Sequence, residues 1–261
     1  MAGNERRPVM AGNWKMHHNH LEAIQVVQKL SYRLESKDYD LCEVVVCPTF
    51  TALRSIQTVL DADNIPMKLG AQNCHWKDDG AYTGEVSPPM LAKLNVAYVI
   101  IGHSERRTLH QETDSDVNAK VIAAQRHGLV PVICVGETAE DLEAHGPSAV
   151  PVRQLRTALE GVDGSKGLVV AYEPVWAIGS GQAATPEQAQ QVCGALRTLI
   201  AELLGDDVAA ATRILYGGSV KSTNIASFLR EPDVDGALVG GASLDIDEFS
   251  SIVRFKKHIG A

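Results

Sequence analysis

The chain has 261 residues, of which 45% are hydrophobic, so it is long enough to bury one large core or two smaller ones. Its formal net charge of −8 argues against a nucleic-acid-binding surface, and no apolar run approaches the roughly 20 residues needed to span a bilayer, so we expect neither nucleic acid nor membrane as a partner. Residues 1–15 lack the apolar region of a secretory signal, and the five cysteines form no C-x-x-C pair, which predicts reduced thiols and a cytoplasmic location.

Short runs rich in β-branched and apolar residues recur along the chain, and most of them are continuous rather than alternating. Strands that are buried on both faces, as in a parallel sheet, have this pattern. We therefore predict eight strands, at residues 7–14, 43–48, 67–73, 96–104, 129–136, 167–174, 213–218 and 236–241.

Helical patterns lie between these runs. The first, at residues 20–35, predicts a stripe at Leu21, Ile24, Val27 or Gln28, and Leu30 or Ser31. A later one opens with Thr185 as the predicted N-cap, Pro186 at the first helical position and Gln188 in the capping-box position. Each helical pattern thus connects one predicted strand to the next.

Strand and helix alternate from end to end without a linker, as parallel strands require. This alternation predicts a single α/β domain over residues 1–261, a closed (β/α)8 TIM barrel with parallel strands. An open doubly wound sheet is the alternative, because hydrophobic periodicity does not distinguish the two.

Residues 74–89 interrupt the alternation with a long segment that has no clear period. Loops of this length in a compact domain are usually functional or disordered, and Trp76 and Tyr82 argue against disorder. We expect a protruding loop that packs against another surface, which suggests an oligomer.

Polar residues and glycines follow five of the predicted strands, and a barrel would bring all of them to one rim. They are Asn13 and Lys15 after the first strand, His103 and Glu105 after the fourth, Glu173 at the end of the sixth, Gly217, Gly218 and Ser219 after the seventh, and Gly240 and Gly241 after the eighth. Taken singly, each has an ordinary structural explanation as a cap, an ion-pair partner or a tight turn. Their joint placement predicts an active site.

The glycine-rich turns after the last two strands suit a phosphate, because glycine lets backbone N–H groups approach an anion closely. The "GSGQAA" run at residues 179–184 matches a dinucleotide fingerprint, but it begins several residues after its strand and is not in an N-terminal βαβ unit, so we reject a dinucleotide site. The "HHNH" run at residues 17–20 has no H-E-x-x-H pattern and no cysteine partner, so we predict no metal site.

Five motifs, "AGNWKM", "IGHSERR", "AYEPVWAIG", "YGGSV" and "LVGGASL", occur in this order and resemble the triosephosphate isomerase family over about residues 8–259. The resemblance implies a (β/α)8 barrel that interconverts dihydroxyacetone phosphate and D-glyceraldehyde 3-phosphate through an enediolate, in glycolysis and gluconeogenesis. It implies an isomerase that uses neither a cofactor nor a metal.

The resemblance also implies a role for each catalytic position. Glu173 is expected to be the general base, His103 the neutral electrophile, Lys15 and Asn13 the groups that meet the oxyanion and orient the substrate, and Glu105 the carboxylate that supports Lys15. The "HSERR" sequence predicts a helix that starts there with Ser104 as its cap.

The phosphate, the lid and the subunit contact are implied in the same way. Backbone N–H groups of Gly179, Ser219, Gly240 and Gly241 are expected to bind the phosphate. The expected lid comprises Pro174, Val175, Trp176, Ala177, Ile178, Gly179, Ser180 and Gly181. Tyr216, through a hydrogen bond to loop backbone, and Ser219 are expected to hold the lid closed. The family implies a homodimer in which Thr83, in the loop of residues 74–89, reaches the neighbouring site.

Two alternatives remain. Another phosphosugar isomerase or an aldolase of the barrel class would share the phosphate turns, although an aldolase needs a Schiff-base lysine inside a strand or a metal cluster, and the sequence indicates neither. A non-catalytic phosphate-binding protein would have no need for Glu173, His103 and Lys15 together.

Overall fold

The computed structural model describes residues 6–178 and 183–258 and contains a closed parallel barrel. Its strands are β1 (Val9–Asn13), β2 (Glu43–Cys47), β3 (Lys68–Ala71), β4 (Tyr98–Ile101), β5 (Val130–Val135), β6 (Val169–Tyr172), β7 (Arg213–Tyr216) and β8 (Gly236–Val239). Each strand pairs with its neighbours in chain order, and β8 returns to β1, with Val9 opposite Gly236 and Gly12 opposite Val239. This last pairing confirms the barrel and excludes the open doubly wound sheet.

All eight predicted strands are present, and each is shorter than predicted. The run predicted at residues 96–104, for example, is a strand only over Tyr98–Ile101. The residues predicted as strand that lie outside these bounds belong to the segments that connect the strands, at the two ends of the barrel. At the carboxyl end, these residues include side chains of the predicted site.

Helices surround the barrel. Within the described residues the α-helices are α1 (His20–Arg33), α2 (Ser36–Leu41), α3 (Phe50–Ala62), α4 (Pro88–Ala92), α5 (Ser104–His110), α6 (Asp114–Arg126), α7 (Ala139–His145), α8 (Ala149–Ala158), α9 (Pro186–Leu204), α10 (Asp206–Ala211), α11 (Ile225–Phe228) and α12 (Ile246–Val253). Short 3₁₀ turns occur at Gly164–Lys166, Val175–Ala177, Gly241–Leu244 and Phe255–His258. Among these described helices, none is long and apolar enough to cross a membrane.

Helix α9 begins as predicted, because the Thr185 hydroxyl accepts the Gln188 N–H and the Gln188 side chain accepts the Thr185 N–H. The stripe predicted for α1 is only partly right. Its buried residues are Ala23, Val27 and Leu30. Leu21 is 61% exposed because it lies on the opposite, solvent-facing side of the helix with Gln25 and Tyr32.

The strands separate two layers of buried side chains. Along β1, Val9 and Ala11 point into the barrel, where they pack with Val45 and Leu238 among others, whereas Met10 points outward into the layer between strands and helices. The inner layer fills the barrel beneath the rim, so the carboxyl ends of the strands form a fixed floor for the site.

The loop of residues 74–89 is partly stabilised by its own aromatic rings. The His75 ring stacks on Trp76 with centroids 4.3 Å apart, and its centroid lies 4.4 Å from that of the Tyr82 ring. The backbone N–H of His75 donates to the Val86 carbonyl at 2.8 Å. Tyr82 nonetheless remains 42% exposed. The loop is therefore ordered within one chain and still presents an aromatic surface.

Candidate active site

A cavity of about 840 Å³ opens at the carboxyl ends of the strands. The polar residues predicted from the five strand ends line it together: Asn13, Lys15, His103, Glu105, Glu173, Gly217, Gly218, Ser219, Gly240 and Gly241. Ile178, from the predicted lid, lines it as well, whereas Gly179, Ser180 and Gly181 lie outside the described residues. The rim expected from parallel strands is thus a single concave site.

Glu173 follows the last residue of β6 and is only 2% exposed. Its Oε2 accepts the backbone N–H of Ser104 at 2.9 Å, and its Oε1 lies 2.9 Å from His103 Nε2. A Cβ on Gly136 would lie 1.7 Å from the Glu173 carbonyl oxygen, so the β5 chain approaches this residue as closely as only glycine allows. The Glu173 carboxylate is therefore held by Ser104 and His103, and the Glu173 backbone is held by its close packing against Gly136.

His103 is the N-cap of α5, and this corrects the prediction that Ser104 caps the helix. The His103 Nδ1 accepts the Glu105 N–H at 3.2 Å, whereas Ser104 is already the first helical residue and directs its N–H at Glu173. A nitrogen that accepts a hydrogen bond carries no proton, so the neutral ring has its hydrogen on Nε2 and donates it towards Glu173.

Glu173 and His103 shift each other's pKa in opposite directions. Burial alone raises the pKa of Glu173, but the His103 ring, the Ser104 N–H and Lys15 more than offset it, so this pKa is lowered and the carboxylate is ionised at neutral pH. Burial alone lowers the pKa of His103, and the adjacent Glu173 carboxylate raises it above its ordinary value. The Glu105 N–H opposes that rise, because protonation of Nδ1 would break its hydrogen bond.

Lys15 reaches the cavity from a strained turn. Its φ of 51° lies in the left-handed region, which is unfavourable for a residue with a Cβ and often marks functional sites. The Asn13 side-chain oxygen accepts the Lys15 N–H at 3.1 Å, and the Gln72 amide donates to the Lys15 carbonyl at 2.7 Å. The Lys15 ammonium pairs with Glu105 Oε1 at 2.5 Å. Asn13 and Glu105 thus fix the turn and the ammonium respectively.

The two glycine pairs differ in what surrounds them. A Cβ on Gly218 would lie 2.3 Å from the Tyr216 hydroxyl, and one on Gly217 would lie 3.0 Å from the Glu173 side chain, so this turn needs glycine for packing. A Cβ on Gly240 would meet only the Lys15 side chain, at 3.5 Å, and one on Gly241 would meet nothing within 4 Å. The second turn therefore leaves space in the cavity, where an anion can approach the backbone.

The first part of the predicted lid is fixed to a carboxylate that the sequence analysis missed. Glu137 is fully buried, and its Oε1 accepts the Trp176 indole N–H and the Tyr172 hydroxyl, both at 2.8 Å. Its backbone carbonyl accepts the Val175 N–H at 3.0 Å, and burial raises the pKa of the Glu137 side chain. Pro174, Ala177 and Ile178 complete the described part of this segment, and Ala177 N–H donates to the Pro174 carbonyl at 2.8 Å.

Three residues beyond the predicted lid, the Tyr216 hydroxyl accepts the backbone N–H of Ala184 at 3.1 Å. Gln72 directly follows β3, and Glu137 is the second residue after β5, so the rule that located the other predicted residues also points to these two. Thr83 does not line the cavity among the described residues; it is exposed on the loop of residues 74–89. Within the described ranges, no group of three His, Cys, Asp or Glu side chains is placed to hold a metal ion.

The fold and this rim define a barrel enzyme of the (β/α)8 class, with a carboxylate, an imidazole and an ammonium around one cavity. The sequence model of the family described as triosephosphate isomerase matches residues 8–256. The chain is 62% identical to a triosephosphate isomerase of Leifsonia xyli subsp. xyli, over 97% of this chain and 99% of that protein. It is 54% identical to one of Streptomyces avermitilis, over 96% and 98% of the two chains, and 49% identical to one of Rhodococcus jostii, over 95% of each. The chain belongs to the triosephosphate isomerase family.

Proposed function

We propose that the protein interconverts dihydroxyacetone phosphate and D-glyceraldehyde 3-phosphate by moving a proton between adjacent carbons through an enediolate. The observation that carries the proposal is the contact of Glu173 Oε1 with His103 Nε2 at 2.9 Å, in a cavity that Lys15 and the Gly240–Gly241 turn also line. An ionised base and a ring N–H donor at one point are what this proton transfer needs.

Each group has a distinct part in the reaction. Glu173, ionised because its pKa is lowered, removes the proton next to the carbonyl, and a positioned base of this kind contributes roughly 10²–10⁴ in rate. The His103 Nε2–H and the Lys15 ammonium face the oxygens on which negative charge develops. Donors already in place at such oxygens contribute about 2.7–4 kcal/mol each. Asn13 holds the Lys15 turn, and Glu105 holds its ammonium.

The phosphate is bound at the turns that follow β7 and β8, at Ser219, Gly240 and Gly241, together with Gly179 of the lid. The lid begins at Pro174, and closing it over the cavity removes water, which strengthens the contacts to the enediolate and protects it from losing its phosphate. Trp176 must leave the Glu137 carboxylate for the segment to move, so Glu137 favours the arrangement described above.

A coupled assay on D-glyceraldehyde 3-phosphate in the presence of EDTA tests this function. We expect full activity in EDTA and a loss of turnover by at least about 10²-fold in Glu173→Gln, because the amide does not accept a proton. The matched control is Glu140→Gln, an exposed position in α7 away from the cavity, which should keep wild-type turnover. Activity that is lost in EDTA and restored by a metal would instead favour a metal-dependent aldolase.

We further propose that the protein is a homodimer that packs through the loop of residues 74–89, with Thr83 reaching the partner's site. Exposed apolar side chains in or next to the relevant segments support this: Met16, one residue after Lys15, is 92% exposed, Met90 is 56% exposed and Tyr82 is 42% exposed. Burying such side chains is a main driving force of association. Sedimentation equilibrium should give twice the chain mass, and Tyr82→Asp should weaken the dimer; a wild-type monomer at micromolar concentration would contradict the proposal.

We place the enzyme in the cytoplasm, in glycolysis and gluconeogenesis. All five cysteines are free and buried, as expected for a protein kept in a reducing compartment. Cell fractionation with antibody detection tests the location, and recovery of the protein in a secreted fraction would contradict it.

A further inference from the structure

A second lysine, Lys221, lines the active-site cavity on the side of the phosphate turns. It is the second residue after Ser219, in the segment that connects β7 to α11. Its side chain is exposed at the mouth of the cavity, and the proposed mechanism makes no use of it. A cation on this side of the cavity lies next to the turns proposed to bind the phosphate.

The backbone that carries Lys221 is fixed by a network of hydrogen bonds. Its N–H donates to the Asn224 side-chain oxygen at 2.8 Å, and the Asn224 amide donates to the Ser219 carbonyl at 2.9 Å. The next residue, Ser222, is bonded by its N–H and its hydroxyl to the two oxygens of Glu248, at 2.7 and 2.9 Å. Lys221 and the phosphate turn at Ser219 therefore belong to one rigid segment.

The charges around the cavity make this ammonium important. The lining contains two lysines, Lys15 and Lys221, and three glutamates, Glu105, Glu173 and Glu248, in a chain whose net charge is −8. Lys15 is paired with Glu105 at 2.5 Å, whereas the described residues place no carboxylate within 4.0 Å of the Lys221 ammonium. Of the two lysines in the described lining, Lys221 is thus the one without a carboxylate partner, in a cavity that has to attract a dianion.

We propose that Lys221 is a capture residue: its ammonium attracts the phosphate dianion to the cavity mouth and takes no part in the proton transfer. This inference rests on the proposed isomerase function. Charges that line a cleft raise association rates, and their effect falls with ionic strength because salt screens exposed charges over about 8 Å at 0.15 M. Lys221 should therefore act on kcat/KM at low salt and leave kcat unchanged.

The experiment compares Lys221→Gln with Lys221→Arg and with Lys68→Gln. Lys68 is an exposed lysine at the first residue of β3, at the opposite end of the barrel, so the control removes the same charge from the chain without changing the cavity. For each variant kcat and KM are measured between 10 mM and 0.5 M ionic strength. The dissociation constant of inorganic phosphate, used as the dianion probe, is measured separately by calorimetry.

We expect Lys221→Gln to lose about three- to tenfold in kcat/KM at low salt, with a loss that disappears at high salt, and to weaken phosphate binding in the same range. Lys221→Arg should retain wild-type values, and Lys68→Gln should change little. Any of three results would overturn the proposal. They are an equal loss of kcat/KM in Lys68→Gln, a loss in Lys221→Gln that is confined to kcat, and unchanged phosphate binding in Lys221→Gln. If the wild-type protein binds phosphate but does not isomerise triose phosphates, the proposed isomerase function is refuted. The phosphate dissociation constants of the wild type and Lys221→Gln then still test whether Lys221 attracts the dianion.

Discussion

Replacing Gly241 by alanine tests whether this glycine is needed to leave space for a ligand or to pack the fold. The added methyl group would meet no atom within 4 Å, and the φ of Gly241 is outside the left-handed region, so the free energy of unfolding should stay within about 1 kcal/mol of the wild type. Gly241 lines the cavity at the proposed phosphate site, so we expect the added methyl group to occupy space that the phosphate needs. Losing one charged hydrogen bond costs about 1.5–3 kcal/mol, so KM for the triose phosphate should rise about 10- to 100-fold.

The matched variant is Gly136→Ala, whose methyl group would lie 1.7 Å from the Glu173 carbonyl oxygen. Because the obstacle is backbone, the strand end has to move, and we expect a loss of roughly 3 kcal/mol or more of unfolding free energy. Urea unfolding and the coupled assay are run on both variants. If Gly241→Ala is as unstable as Gly136→Ala, or if it is stable with a wild-type KM, the assignment of Gly241 to the phosphate is wrong.

Three further predictions concern the lid, the core and the thiols. Trp176→Phe keeps a ring but removes the N–H bonded to Glu137, so residues 175–178 should exchange their amide hydrogens faster by about tenfold or more; unchanged exchange would refute the contact. Glu112→Gln leaves the buried Lys120 without its 2.8 Å partner and should cost about 3–5 kcal/mol of unfolding free energy at pH 7. Although burial raises the pKa of Glu112, Lys120 and Arg106 lower it overall, so its stabilising effect is present above the unfolded pKa and is lost as the pH falls through the lower folded pKa. The difference in unfolding free energy between Glu112→Gln and the wild type should therefore become smaller in acid. Equal stability of the two proteins at pH 7 would contradict this prediction. A thiol reagent should react slowly with the native protein and with all five cysteines after unfolding, because burial raises the pKa of Cys42 and Cys47 to about 12; fast native reaction would show that a thiol is accessible.

The sequence predicts the barrel well because its signal is local and repeated. Continuous apolar runs mark each strand, and parallel pairing then forces every strand end to one rim, which is why Asn13, His103 and Glu173 meet although they are far apart in the chain. The sequence does not distinguish positions that have the same residues but different surroundings in the folded protein. Gly217–Gly218 and Gly240–Gly241 read alike, yet the first pair is packed against Tyr216 and Glu173 while the second faces the cavity.

Side-chain contacts between distant segments are a second limit. Ser104 is the residue type expected at a helix N-cap, but the cap is His103, because its ring is already oriented by Glu173 and reaches the Glu105 N–H. The partners of Glu137, Tyr172 and Trp176, lie 35 and 39 residues further along the chain, and no spacing rule connects them. Such contacts become visible only when the packing of the barrel is known.

The contact between Glu173 and His103 also explains how a buried charge is tolerated at the site. An isolated carboxylate at 2% exposure would be protonated rather than pay the desolvation cost, and a protonated Glu173 would be useless as a base. The His103 Nε2–H and the Ser104 N–H supply two donors to it, and the ring keeps its own orientation because Nδ1 accepts from α5. In the proposed mechanism, a substrate that enters between the two groups accepts the Nε2–H at its carbonyl oxygen, and the Glu173 carboxylate removes the proton from the adjacent carbon. In that mechanism, the His103 N–H that keeps Glu173 ionised before the substrate binds is also the donor that polarises the substrate carbonyl, so one hydrogen-bond donor serves both states of the site.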